Sequence, residues 1–141
     1  MNITVVNISK GPYELNKEAL KDVESGKLSL NVTSRLRYST ESDYVGFQID
    51  MMVMQKNTQV FKSGFLIGLL MEDWSMELKA GLDLNTHREK LLDICRTVWL
   101  VATGIVALQS SEGDFGGIML PSVNYEDFSK DVVLVPAGSG Q

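Results

Sequence analysis

The stretch from Thr86 to Ser111 constrains this chain more than any other. Thr86-His87-Arg88-Glu89 has the form of a capping box, in which Thr86 takes the amide of Glu89 while Glu89 reaches back. The run that follows has no proline and only one glycine, Gly104, so it predicts a long helix. Its first half is two-faced: Leu91, Leu92, Cys95, Val98 and Trp99 recur at helical spacing, and Glu89, Lys90, Asp93 and Arg96 carry charge elsewhere. The second half, Val98 to Leu108, has no charged face at all. One sheet covers only one side of a helix. At 141 residues the chain is one domain, with little left over to cover the other side, so a second subunit is expected there.

Composition excludes several classes. A hydrophobic share of 44%, a charged share of 22% and mean hydropathy near zero describe an ordinary globular chain. The formal charge of −5 and a pI near 4.8 argue against nucleic acid, because no basic stripe is present to neutralise phosphates. The lone Cys95 cannot close an internal disulfide, and on an apolar helix side it reads as a small buried hydrophobe rather than a nucleophile. No basic n-region or sustained apolar h-region follows Met1, so no signal peptide is expected. The apolar run within the helix reads as too short to span a bilayer, and a cytoplasmic location is the default expectation.

The strands come from alternation. Asn2 to Ile8 reads as a strand ended by Lys10-Gly11-Pro12, followed by a polar connection in which Asn16 to Asp22 can form a turn or two of helix. From Lys27 to Tyr38, Leu28, Leu30, Val32, Leu36 and Tyr38 face one way, and Ser29, Asn31, Thr33, Arg35 and Arg37 the other. Tyr44 to Lys56 and Val60 to Glu72 follow as two more strands across short turns, so neighbours are antiparallel. Their second faces turn apolar at Met52 and Met54, and at Leu66, Gly68 and Leu70. That predicts an apolar end to the exposed side of the sheet, covered by the remaining chain, a partner or a ligand. Asp73 to Asn85 reads as a link with scattered apolar residues. A glycine-punctuated loop from Glu112 to Pro121 displays Phe115, Ile118, Met119 and Leu120. Val123 to Phe128 begins a short helix with Asn124 as N-cap, and Val132 to Pro136 is apolar and extended. The expected organisation is one domain over residues 1–136 with a flexible tail at 137–141.

Chemistry is sparse. His87 sits at the helix start with no Ser or Cys nucleophile placed beside it, and one His and one Cys eight residues apart make no metal site. Asp114-Phe115-Gly116 carries the letters of a kinase motif without the glycine-rich loop and lysine strand that would give it meaning. Gly64 and Gly68 lie within a strand, where close backbone approach or a bend explains them better than phosphate binding. Glu72 and Asp73 read as a solvated rim. No enzyme, cofactor or metal is expected. Methionine is the softer signal: Met51 and Met71 suit ordinary core filling, whereas for Met52, Met54 and Met119 core filling and an adaptable binding surface both stand.

The order strand, long connection, three antiparallel strands, long helix, apolar loop, short helix is similar to the SecB family of export chaperones. Lys27-Leu-Ser-Leu-Asn31 resembles the segment opening that family's second strand, and Leu120-Pro-Ser-Val-Asn-Tyr-Glu-Asp-Phe128 resembles its segment after the long helix. Ile94-Cys95 falls where many members carry a cysteine. The resemblance runs from about Ile3 to Phe128, and it rests on structural motifs rather than catalytic ones. It implies an α+β fold with a four-stranded antiparallel sheet, a long helix on one face and a short C-terminal helix. It also implies a homotetramer, a dimer of dimers with long helices between the dimers. The implied function is a holdase-type chaperone for protein export, binding unfolded or precursor polypeptide in apolar grooves. Phe115, Ile118, Met119 and Leu120 would supply the loop side of the groove, and Met52, Met54, Leu66, Leu70 and Trp74 the sheet side. Val98, Trp99, Val101, Ala102, Thr103, Ile105, Val106 and Ala107 would form the oligomer interface, with Thr103, Ala107 and Ser111 as a line of small residues. Where members that serve the export motor carry acidic residues, this chain has Asn7, Gly11, Lys62 and Gly64, which argues against an export motor as partner. A chaperone dedicated to a toxin–antitoxin pair is the related alternative. An interaction protein whose own tail, Val132 to Val135, fills the groove is another. An unrecognised small enzyme ranks last.

Overall fold

The computed structural model describes residues 2–20, 28–81, 83, 88–111 and 117–136, with the side chain of residue 20 left aside. The chain is an α+β protein. Its elements run β1 (Ile3–Leu15), α1 (Lys17–Leu20), β2 (Leu28–Tyr38), β3 (Tyr44–Gln55), β4 (Thr58–Met71), α2 (Trp74–Lys79), α3 (Arg88–Gln109), α4 (Tyr125–Asp131) and β5 (Val132–Pro136). The sheet has five strands in the order β1-β4-β3-β2-β5. Four are antiparallel as expected, but β5 joins β2 in parallel, Ser34 beside Val132 through Tyr38 beside Pro136, so the sheet is mixed rather than four-stranded. The tail residues Val132 to Val135 are therefore part of the sheet edge. Pro136 sits where a missing N–H is tolerated, at the end of an edge strand.

The first strand is longer than expected. Gly11-Pro12 does not end it; the strand continues to Leu15, with register shifts between Val5 and Asn7 and between Lys10 and Tyr13. An edge strand can absorb proline at a bulge because no neighbour on that side requires its N–H. Asn16 then closes the strand: its amide donates to the Val60 carbonyl (2.9 Å) and its Oδ1 accepts from Ala19 N (3.0 Å), opening α1.

One face of the sheet makes the core. Leu36 of β2, Val45, Phe47, Ile49, Met51 and Val53 of β3, and Phe61, Phe65, Ile67, Leu69 and Met71 of β4 are all buried. On α3 the buried positions are Leu91, Ile94, Cys95, Val98, Trp99, Ala102, Val106 and Gln109, a stripe at three- and four-residue spacing. Gln109 takes a 2.7 Å hydrogen bond from the Ser63 hydroxyl, which satisfies two polar groups inside the core and fixes the end of α3 against β4. The expected helix start at Thr86-His87 lies outside the described residues, and α3 is described from Arg88. At 22 residues α3 is long and apolar enough to cross a membrane, which corrects the expectation that the run is too short. A core helix meets the same test, and the buried stripe of α3 is part of this core.

The segment after β4 folds as α2 instead of running as a plain link. Asp73 turns the chain with φ +64°, a conformation aspartate tolerates, and places Trp74 fully inside. Asp43 caps this turn from the β2–β3 connection by accepting from Ser75 N and Oγ, both at 2.8 Å, and these two bonds hold its carboxyl below the usual carboxylate range. Lys90 pairs with Glu77 at 2.6 Å, fastening α2 to α3.

Candidate functional site

The helix α3 leaves one side open. Leu100 and Leu108 are 71% and 72% exposed, and an added Cβ on Gly104, midway between them, would meet nothing within 4 Å. Together these three form an i, i+4, i+8 line flanked by half-buried Val101 and Ile105. Of the eight residues expected at an oligomer interface, Val98, Trp99, Ala102 and Val106 point into the core, because the sheet claims that side of the helix. Val101, Thr103, Ile105 and Ala107 are half-buried flanks. The outward residues are Leu100 and Leu108, which carry the apolar character of the second half of the helix to the surface.

Beside this line, residues 117–123 are tied back to α3. Ser110, fully buried, donates through Oγ to the Val106 carbonyl (2.6 Å) and accepts from Ile118 N (2.6 Å). Trp99 Nε1 donates to the Pro121 carbonyl at 3.1 Å, and its ring meets Phe128 edge-on at 5.4 Å. Gly117 adopts φ +98°, and a Cβ there would collide with the Ala107 carbonyl oxygen. Asn124 caps α4 by accepting from Glu126 N and Asp127 N, at 3.0 and 3.2 Å, as its position in the sequence predicts. The effect is a rigid strap that buries Ile118 in the core, half-buries Leu120 and leaves Met119 72% exposed. Phe115 lies outside the described residues.

The sheet side is arranged differently. Met52, Met54, Leu66 and Leu70 stand on the face opposite α3, while Trp74 is fully buried against the edge of Tyr38, with ring centroids 6.1 Å apart. A single groove joining these residues to Ile118, Met119 and Leu120 is therefore not formed within one protomer. Nor is the outer face apolar at one end. Antiparallel pairing sets Met52 beside Lys62 and Met54 beside Gln59, and sets Leu66 beside Gln48 and Leu70 beside Tyr44. The two apolar half-strands end up at opposite ends, each facing polar neighbours.

An open groove of about 930 Å³ lies on that outer face, over Gly64. Asp50 lies across Gly64, where a Cβ would collide with its Oδ1, and accepts from Gln48 Nε2 at 3.4 Å. Gly68 similarly accommodates Asn7 and Tyr44, whose hydroxyl donates to Asn7 Oδ1 at 3.2 Å. Both glycines thus admit neighbouring side chains onto the sheet, the close approach that strand glycines signal.

Among the described residues no three His, Cys, Asp or Glu side chains converge as a metal site. Burial pushes the Cys95 thiol up to about 12, an effect only partly offset by the nearby charges of Arg88 and Arg96. Fold and surface together define an α+β protein with an apolar helix face on one side and a mixed polar–apolar sheet groove on the other. A scan against protein-family models and a search of curated proteins find no match to this chain.

Proposed function

We propose that this protein is a non-catalytic polypeptide binder, a holdase-type chaperone of SecB-like character, that works as a homo-oligomer assembled through the outer side of α3. The observation carrying this reading is the exposed line Leu100, Gly104, Leu108 on a helix whose other side fills the core. Two large leucines at three-quarters exposure, with a glycine between them that admits a neighbouring backbone, favour helix-on-helix packing between copies. Across such a pairing, Met119 on the rigid strap would border a shared apolar surface open to unfolded segments. Clients would be held by apolar burial, at about 25 cal/mol per Å².

Light scattering on the purified chain tests the assembly, and suppression of aggregation of a chemically unfolded client tests the binding. An oligomer that suppresses aggregation, and loses that action on Met119→Asp with its mass unchanged, supports the proposal. A monomer without effect on the client overturns it.

A further inference from the structure

The outer face of the sheet carries charge in an arrangement that chooses a partner. Register places the side chains in rows: Asn31, Met52, Lys62 and Glu14 in one, Arg35, Gln48, Leu66 and Ser9 in another, Arg37 with Gly46, Gly68 and Asn7 in a third. The two carboxylates of this surface are already engaged. Asp50 is laid over Gly64 and takes the Gln48 amide, and Glu14 takes Gln59 Nε2 at 3.1 Å. The cations are not. Arg35, Arg37 and Lys62 are exposed and make no ion pair among the described residues, although the whole chain carries a formal charge of −5. Arg37 and Lys62 line the groove together with Met52, Leu66 and Gly64.

We infer that this groove docks an extended polypeptide segment in which acidic residues alternate with apolar ones. Free cations at the rim meet the carboxylates, and Met52 and Leu66 meet the apolar side chains. A strand lying on the sheet presents alternate residues to one face, which suits a surface patterned in rows. Nucleic acid fits worse, because its unbroken run of phosphates would meet Asp50 and Glu14 as well as the cations, and Met52 and Leu66 offer that backbone no partner. The inference deepens the polypeptide-binding reading and rests on it.

The test is fluorescence anisotropy with the full chain and four labelled probes: peptides of equal length alternating Glu, Gln or Lys with Leu, and a single-stranded DNA oligonucleotide. The Glu peptide is expected to bind about tenfold more tightly than the Lys peptide, with the gap shrinking as salt rises from about 50 to about 300 mM. Arg37→Glu with Lys62→Glu is expected to reverse the preference towards the Lys peptide, an outcome that mere misfolding does not produce. Asp50→Asn, which leaves the cations alone, is expected to tighten the Glu peptide further. Preference of the unaltered chain for the Lys peptide or for DNA overturns the inference, as does an unreversed order in the double variant. If Glu and Gln peptides bind alike, polypeptide binding stands and the acidic preference falls. If no peptide binds, the inference falls, and suppression of client aggregation decides the chaperone reading separately.

Discussion

Replacing Leu100 with alanine separates assembly from folding. The side chain is 71% exposed in the protomer, so it contributes little to folding, and the substitution should move protomer stability by no more than about 0.5 kcal/mol. Full burial of a leucine is worth about 2 kcal/mol, and covering the exposed part of this one is worth about 1.5 kcal/mol. In a two-fold pairing of helices the substitution counts twice, for a loss of about 3 kcal/mol, or roughly a hundredfold in the dissociation constant. Gly104→Leu adds a second arm of opposite sign. Open space around Gly104 makes the larger side chain sterically free in the protomer, and losing a mid-helix glycine should stabilise the fold by about 0.5–1 kcal/mol. In the proposed assembly the same side chain would block the approach of a partner helix. Sedimentation velocity across a wide concentration range, paired with thermal melts, reads both quantities. A Leu100→Ala chain that assembles like the original refutes the reasoning. So does a Gly104→Leu chain that assembles better.

Further outcomes at four residues follow from the contacts described. Ser110→Ala leaves the Ile118 N–H buried without its acceptor, which should cost about 1–3 kcal/mol and lower the melting temperature by about 3–8 °C; an unchanged calorimetric melt would contradict it. Gly117→Ala combines a positive φ with a collision at the Ala107 carbonyl, so a loss of at least about 2 kcal/mol is expected in denaturant titration. The Cys95 thiol, held up to about 12 by burial, should resist a thiol reagent at mild alkaline pH until the chain is unfolded. Because its folded value lies above the ordinary 9.0, stability should fall as pH rises past that value, and Cys95→Ala should remove that part of the slope. For Asp43 the sign is reversed. Its lowered carboxyl contributes stability above the ordinary 3.8, lost as pH falls through the folded value, so Asp43→Asn should flatten the acid limb of a pH–stability curve.

What the sequence disclosed depended on how local each signal was. Alternation in Leu28–Tyr38, Tyr44–Gln55 and Thr58–Met71 was sufficient to place three strands and their core faces. Helical spacing of Leu91, Cys95, Val98 and Trp99 marked the first half of the buried stripe of α3, while its continuation through Ala102 and Val106 did not show, since those two were expected at an interface. The Asn124 cap was legible for the same reason, since it bonds two and three residues on. Pairing was not legible. That Val132–Pro136 would lie beside β2, and that Met52 would face Lys62 rather than another apolar residue, are facts of register between distant segments. The continuation of β1 through Pro12 depended on its place at the sheet edge, which no window around Pro12 reveals. The candidate surface was half legible: that the second half of α3 would carry apolar residues on more than one side followed from its composition, but Leu100 and Leu108 emerged as the outward residues only once the sheet had taken Val98, Trp99, Ala102 and Val106.

The placement of β5 has a kinetic consequence. Ser34 pairs with Val132 across two strands and three helices of described intervening chain, so this closure spans a long stretch of sequence. Until that late closure the margin of β2 is open to any extended chain nearby, and contacts so distant in sequence form slowly. Refolding yield should therefore drop as protein concentration rises, because the interval before sealing is when one copy can be mistaken for another's missing strand.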